Sequence, residues 1–141
     1  MKKMVFFIIL IQLLLIATAC SDQNIIPKDK AKNVVDTYGI KTFSVTIETK
    51  EQKEALKASF TEKKDRSEAE YSNKKDEVNL HGEKALKKII EAFEKLDPDP
   101  EADEVELIKK TAEAFDFKDF QMIRLEVIFK GYDSKEIMFS K

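Results

Sequence analysis

The spacing of hydrophobic residues changes twice along the chain, and this change constrains the fold more than any other feature of the sequence. The spacing has period two in residues 41–73, follows helical steps of three and four in residues 86–115, and returns to period two from Phe120. Period two is typical of half-buried strands, and steps of three and four are typical of amphipathic helices. The sequence therefore predicts strands, helices and strands in one domain, since 141 residues suit one domain rather than two.

Three strands are predicted before the helices. Their inward residues are Phe43, Val45 and Ile47 in the first strand, Leu56, Ala58 and Phe60 in the second, and Ala69 and Tyr71 in a shorter third strand over residues 68–73. Residues 51–59 could also form a helix. We favour a strand there, because Phe60 and Tyr71 would then line one face of a hairpin.

Two one-sided helices follow. Their apolar stripes are Leu86, Ile89, Ile90, Phe93 and Leu96 in the first helix, and Val105, Ile108, Ala112 and Phe115, with Leu107 beside them, in the second. The segment Asp97-Pro98-Asp99-Pro100 ends the first helix, and Asp99 as N-cap with Pro100 in the first helical position would begin the second. A corner this short predicts a helical hairpin.

Strand spacing closes the chain. Ile123, Leu125, Val127 and Phe129 face one way, residues 131–134 form a turn, and Ile137 and Phe139 resume the alternation. The predicted fold class is α+β: an antiparallel sheet of about five strands in the order βββ-αα-ββ, with the two-helix hairpin packed on one face. This arrangement places every apolar stripe in a single core.

The N-terminus predicts export from the cytoplasm. Lys2 and Lys3 precede an apolar run from Met4 to Ala19, which is shorter than the roughly 20 residues that span a bilayer as a helix. Residues 1–19 are therefore interpreted as a signal peptide. The small residues before Cys20 resemble a bacterial lipobox, which implies cleavage before Cys20 and lipidation of its thiol. A plain secretory signal and an uncleaved anchor are the alternatives.

The segment after Cys20 is polar and rich in lysine. Residues 20–39 are predicted to be a lipidated flexible tether, in which residues 30–35 could form a short helical turn, and residues 40–141 the folded domain. Loss of Lys2 and Lys3 changes the net charge of the chain from −2 to −4. A negative body gains nothing from anionic lipid, so the acyl chains would hold the protein on the extracytoplasmic face of the cell membrane.

Several short segments, taken in order, carry a family resemblance. They are Cys20, Phe43-Ser44-Val45-Thr46-Ile47, Glu68-Ala69-Glu70-Tyr71, Gly82-Glu83-Lys84-Ala85-Leu86, Ala114-Phe115-Asp116 and Leu125-Glu126-Val127-Ile128-Phe129-Lys130. Over residues 18–141 the chain resembles the YusW-like family of small Gram-positive lipoproteins. The resemblance implies a membrane-anchored extracytoplasmic domain and no particular chemistry. The architecture is also loosely similar to PepSY domains, which are associated with restraint of secreted peptidases, although no motif is shared.

The sequence contains no recognisable catalytic constellation. His81 is the single histidine and its neighbours are ordinary surface charges, while no serine lies in a Gly-x-Ser-x-Gly elbow. Cys20 would be consumed by lipid, and the three glycines are isolated rather than gathered in a phosphate-binding loop. We therefore expect no enzymatic activity and no cofactor.

The charged clusters are interpreted as caps and solvated surface. The acidic corner of Asp97, Asp99, Glu101, Asp103 and Glu104 lacks the spacing of a calcium-binding EF-hand loop, so no metal is expected. The lysine pairs at residues 63–64, 74–75 and 87–88 are interleaved with acids, so no nucleic acid partner is expected.

One patch suggests a partner. Phe120, Met122, Ile128 and Met138 are predicted to lie on the face of the closing hairpin opposite the core. They would form a partner-binding surface if that face is open, or a packing surface for the tether or a loop. The leading hypothesis is a non-enzymatic interaction module with an envelope protein partner. The alternative is a regulator or inhibitor of an envelope or secreted enzyme.

Overall fold

Seven strands and three helices make up residues 23–141, the part of the chain that the computed structural model describes. The strands are β1 (Ile25–Ile26), β2 (Ile40–Glu48), β3 (Leu56–Thr61), β4 (Ser67–Asn73), β5 (Val78–His81), β6 (Met122–Phe129) and β7 (Lys135–Ser140). The helices are α1 (Lys28–Tyr38), α2 (Gly82–Leu96) and α3 (Glu104–Ala114). The predicted signal peptide and Cys20 lie outside the described residues.

All seven strands belong to one antiparallel sheet. The order across it is β1-β4-β3-β2-β6-β7, and β5 also pairs with β4. β2 lies in the middle, where Phe43 is opposite Phe60 on one side and Val127 on the other. The predicted α+β class and antiparallel sheet are confirmed, but the predicted number of about five strands is wrong because β1 and β5 were not foreseen.

The two unforeseen strands share one edge of the sheet. β1 pairs with the first part of β4, at Ser67 and Glu68, and β5 pairs with the rest, from Glu70 to Asn73. Each strand is too short to show a clear period of two: β1 has two residues, and β5 mixes apolar and polar residues. Together they form one composite edge beside β4.

Most of the segment predicted to be a flexible tether forms regular structure, namely β1 and α1. Ala31, Val34 and Val35 of α1 are buried, and the helix ends at Gly39, whose N–H donates to the Val35 carbonyl over 2.9 Å. Gly39 has a left-handed φ of 69°, which suits glycine at a helix C-terminus. The expected flexible tether of residues 20–39 is therefore wrong from β1 onward, and the folded body begins before residue 40.

The three helices lie on one face of the sheet, which we call the inner face. Phe43 at its centre is 1% exposed, with its ring centroid 5.0 Å from that of Phe93 in α2 and 6.0 Å from that of Phe115 after α3. Tyr38 at the end of α1 lies 5.5 Å from Phe93 by the same measure. Aromatic contacts thus join all three helical segments to one core.

α3 begins later than the sequence predicted. Its N-cap is Asp103, whose Oδ1 accepts a hydrogen bond of 2.9 Å from the N–H of Glu106, whereas Asp99 caps a separate turn by accepting from the N–H of Glu101. The buried side of this helix is also turned toward Leu107 and Thr111 rather than toward Val105. Leu107 is 2% exposed, and Val105, predicted to be in the stripe, is 67% exposed.

Candidate functional site

The second face of the sheet, which we call the outer face, is not covered by any element within residues 23–141. Its central side chains are mostly hydroxyl-bearing and half-buried: Thr42, Ser44 and Thr46 from β2, Ser59 and Thr61 from β3, and Ser72 from β4. An antiparallel sheet with one core face and one solvated face is common. The packing of the tether or a loop onto this face, one of the two sequence-based interpretations, is not seen in the described part of the chain.

Phe120 does not belong to the outer face, contrary to the sequence prediction. It precedes β6, is only 6% exposed, and packs edge-on against Phe139 with ring centroids 6.1 Å apart. The Nζ atom of Lys141 lies 4.2 Å from the Phe120 centroid. The sequence prediction extended the strand alternation back from Met122 to Phe120. β6 begins at Met122, so the alternation does not apply to Phe120.

The other three residues of the predicted patch do face outward. Met122 and Ile128 are half-buried and Met138 is 65% exposed. Arg124 lies directly opposite Met138, with its Nη2 atom 3.8 Å from the methionine sulfur. The structure therefore brings Met122, Ile128 and Met138 to one face but separates them with charged side chains, so the outer face is a mixed rather than a continuous apolar surface.

His81 is part of a hydrogen-bonded chain at the composite edge. Its Nδ1 atom is 2.6 Å from the Oδ1 atom of Asn24, and the Asn24 amide donates to the carboxylate of Glu70. Because an amide oxygen can only accept, Nδ1 carries the proton. The bonds join the residue before β1 to the last residue of β5 and to β4. His81 thus connects the two pieces of the edge.

A shallow depression lies on the outer face beside this chain. Its volume is about 360 Å³, and Ser44, Ser59, Glu70 and His81 contribute to its lining. Cross-strand pairing puts Glu70 between Ser59 and His81. A serine nucleophile needs the histidine next to it and the carboxylate behind the histidine. The order found here is the reverse, so these side chains do not have the arrangement of a serine–histidine–carboxylate triad.

The acidic corner mainly orders the connection between α2 and α3. Asp103 and Asp99 accept backbone hydrogen bonds as described above, and the Nζ atom of Lys135 donates to the carbonyls of Pro100 over 2.7 Å and Ala102 over 3.3 Å. Among residues 23–141 there is no group of three His, Cys, Asp or Glu side chains arranged to hold a metal ion. The hydrogen bonds from Lys135 hold the segment between α2 and α3 against β7.

A third surface lies between α3 and β7, and sequence reasoning did not find it. Val105, Ile108 and Phe139 line an apolar groove of about 300 Å³ there. Val105 and Phe139 are two of the five large hydrophobic residues that are exposed in the described part of the chain. The sequence did contain a signal, because Leu107 lies beside the predicted stripe and its burial together with Ile108 leaves Val105 at the margin of the apolar side.

Comparison with models of known protein families gives a match over most of the sheet. The family model described as "YusW-like protein" matches residues 41–131. The chain belongs to the YusW-like protein family. The match extends from β2 through β6 and leaves β1, α1 and β7 outside it. No curated protein and no solved structure matches the chain.

Cys20, the predicted lipidation site, lies outside the described residues. Asn24, which is hydrogen-bonded into the composite edge, follows it by four positions. Four residues extend over at most about 14 Å. In residues 23–141, none of the helices combines the length and the apolar character needed to cross a lipid bilayer.

Proposed function

We propose that this chain is a lipid-anchored lipoprotein on the extracytoplasmic face of the cell membrane, where it acts as a non-enzymatic interaction module. The proposal rests chiefly on one structural observation: three helices cover the inner face of the sheet, while no element of the described chain covers the outer face. The sequence adds the lipobox at Cys20 and the absence of a catalytic constellation. A partner in the cell envelope would bind the uncovered parts of the sheet.

The short distance in sequence between Cys20 and the described residues has a consequence for the proposed anchor. If Cys20 carries the lipid, only residues 21–23 separate it from Asn24, so the domain lies within about 14 Å of the headgroups. A flexible tether of twenty residues would let the domain rotate freely at a greater distance. The short connection instead restricts binding to partners in or near the membrane.

The anchor is tested by metabolic labelling of the full chain with a clickable fatty acid. We expect the label on the wild-type protein and its loss in Cys20→Ala, together with a shift of the protein from the membrane fraction to the medium. Ser21→Ala is the matched control and should keep both the label and the location. A Cys20→Ala variant that stays labelled would contradict the proposal.

The binding role is tested by photo-crosslinking on intact cells. A crosslinking amino acid at Ser59, on the outer face, should capture a defined envelope protein, and the same amino acid at Lys87, on the solvent side of α2, should not. Capture of an enzyme at Ser59 would select the regulator or inhibitor role. Identical patterns from the two positions would refute a specific interaction surface on the outer face.

A further inference from the structure

β7 is a free edge strand. It pairs with β6, and the described residues place no strand on its other side. The N–H of Lys141 donates to the carbonyl of Gln121 over 2.9 Å, in register with the β6–β7 ladder. Hydrogen-bonded pairs alternate along an antiparallel ladder, so Ile137 and Phe139 also bond to β6. The backbone groups of Glu136, Met138 and Ser140 therefore point away from the sheet.

This edge has exposed apolar side chains on both faces of the sheet. Met138 is 65% exposed on the outer face, and Phe139 is 38% exposed on the inner face beside Val105, which is 67% exposed. Natural proteins usually protect a free edge with charges, proline or a covering element, because unpaired strands recruit other strands. An edge with exposed apolar side chains is suited to binding another strand.

The groove between α3 and β7 has a basic rim. Lys109, Lys118 and Lys141 line it together with a single acid, Glu113. The Nζ atom of Lys141 donates to the Lys118 carbonyl over 3.1 Å, which holds this lysine beside the groove. A strand added to β7 would place alternate side chains over Val105 and Phe139. The lysines favour acidic residues next to those apolar side chains.

Charge also distinguishes between the occupants that could add a strand here. In a symmetric antiparallel pairing centred on Met138, Lys141 of one copy would lie opposite Lys135 of the other, so a second copy would bring a like charge to the rim. After the proposed cleavage before Cys20, residues 20–22 remain before the described part of the chain, and they lead into β1 at the opposite edge of the sheet. Neither occupant complements the lysine rim. An acidic segment of another protein does.

We infer that β7 and the groove between α3 and β7 bind an extended segment of a partner protein, which adds to the sheet as an antiparallel strand. The segment has apolar side chains at alternate positions facing the groove, and acidic residues at its ends facing the lysines. The mode is strand addition, in which backbone hydrogen bonds give affinity and the alternate side chains give specificity. This inference rests on the proposed role as an interaction module and supplies its second surface.

The experiment uses the full chain in mild detergent and a fluorescently labelled peptide, Glu-Thr-Val-Thr-Val-Thr-Glu with blocked ends, followed by fluorescence anisotropy. Its valines and glutamates share one face of the strand and would face the groove and its lysines, and its threonine amides would bond to β7. We expect saturable binding, and a loss of affinity of at least about tenfold when the three threonine amides are N-methylated or both glutamates are replaced by lysine. Equal binding of the three peptides would overturn the inference.

Variants of the protein test the same contacts from the other side. Met138→Pro removes an outward N–H and should weaken peptide binding at least about tenfold, whereas Met138→Thr keeps the N–H and should cost about threefold at most. Lys109→Glu combined with Lys118→Glu should also cost at least about tenfold, and Lys87→Glu on α2, the matched charge reversal, less than about twofold. A peptide that binds all variants equally, or a chain that dimerises and releases the peptide, would overturn the inference.

The two proposals fail in different ways. Crosslinks from Ser59 on cells test the interaction module, and peptide affinity at β7 tests the edge. Suppose that Ser59 captures a partner while the peptide binds Met138→Pro and the lysine-to-glutamate variant with the wild-type affinity. That result would refute strand addition at β7 and would leave the proposed interaction module supported. Circular dichroism of each variant separates loss of binding from loss of folding, and the N-methylated peptide keeps the test decisive where Met138→Pro does not fold.

Discussion

The two edges of the sheet are completed in different ways. The edge beside β4 is closed by β1 and β5, and Asn24 and His81 join these short strands through hydrogen bonds. At the other edge no strand of residues 23–141 lies beyond β7, which has 6 residues and exposes Met138 and Phe139. Very short edge strands are one way in which natural proteins protect an edge, whereas a longer edge strand with exposed apolar side chains can pair with another strand. We therefore expect the first edge to contribute mainly to stability, and we place the proposed binding at the second edge.

The largest contrast is expected from truncating one apolar side chain at each edge. Ile26 in β1 is 3% exposed, so Ile26→Ala should lower the free energy of unfolding by about 2–4 kcal/mol through lost burial and a cavity. Met138→Ala, at the open edge, should change it by less than about 0.5 kcal/mol. Urea unfolding followed by far-UV circular dichroism measures both. Similar losses would show that the edges do not differ.

The next largest loss of stability is expected when Gly82 is replaced by alanine. Gly82 has a φ of +62°, and a Cβ atom there would lie 2.9 Å from the Gln23 carbonyl oxygen and 3.1 Å from that of Ile25. Gly82→Ala should therefore cost about 2–3 kcal/mol, because a left-handed backbone and a clash with the β1 segment add together.

Gly39 supplies the matched control for this substitution. It has a φ of +69° with nothing within 4 Å of the added Cβ, so Gly39→Ala should cost only about 1 kcal/mol. The measurement is again urea unfolding. Equal costs at the two positions would mean that close packing of β1 over Gly82 contributes nothing to closing the edge.

The periodic elements were predictable from the sequence because long stripes average over local exceptions. β2, β3, β4, β6 and α2 appear where the spacing placed them, and the inward residues of β6 are 2% exposed or less. Burial on a single face requires that spacing in any strand or helix of this length. The core and the α+β class could therefore be predicted before the structure.

The elements that finish the edges could not be predicted in the same way. β1 has only two residues, and the stripe of α1 at Ala31, Val34 and Val35 is hidden among lysines and lies directly after a proline. Their positions depend on tertiary contacts, such as the pairing of Ile26 with Ser67. The groove was missed because the spacing from Val105 to Ile108 and Ala112 placed Val105 in the buried stripe, whereas the buried side of α3 is turned toward Leu107 and Thr111.

The hydrogen-bonded chain at the closed edge is expected to have a smaller effect. Asn24→Ala removes the side chain that joins His81 to Glu70, and should lower the free energy of unfolding by about 1 kcal/mol. The loss should be local, with faster hydrogen exchange at the amide of Ala69, which bonds to the Asn24 carbonyl.

Asn33 on α1 is the control for this substitution. It accepts a hydrogen bond from Thr37 on the exposed side of the helix, so Asn33→Ala should leave the exchange of the Ala69 amide unchanged. If Asn24→Ala and Asn33→Ala give the same exchange rate at Ala69, the chain through Asn24 does not hold β1 in place.

Proline at the open edge is expected to cost little stability at one position and much more at the neighbouring position. Met138→Pro removes an N–H that points to solvent, and should cost less than about 1 kcal/mol. Ile137→Pro removes an N–H that bonds to β6 and displaces a buried side chain, so it should cost at least about 3 kcal/mol. If Met138→Pro proves as costly as Ile137→Pro, the Met138 amide already has a partner, and β7 cannot accept the strand we infer.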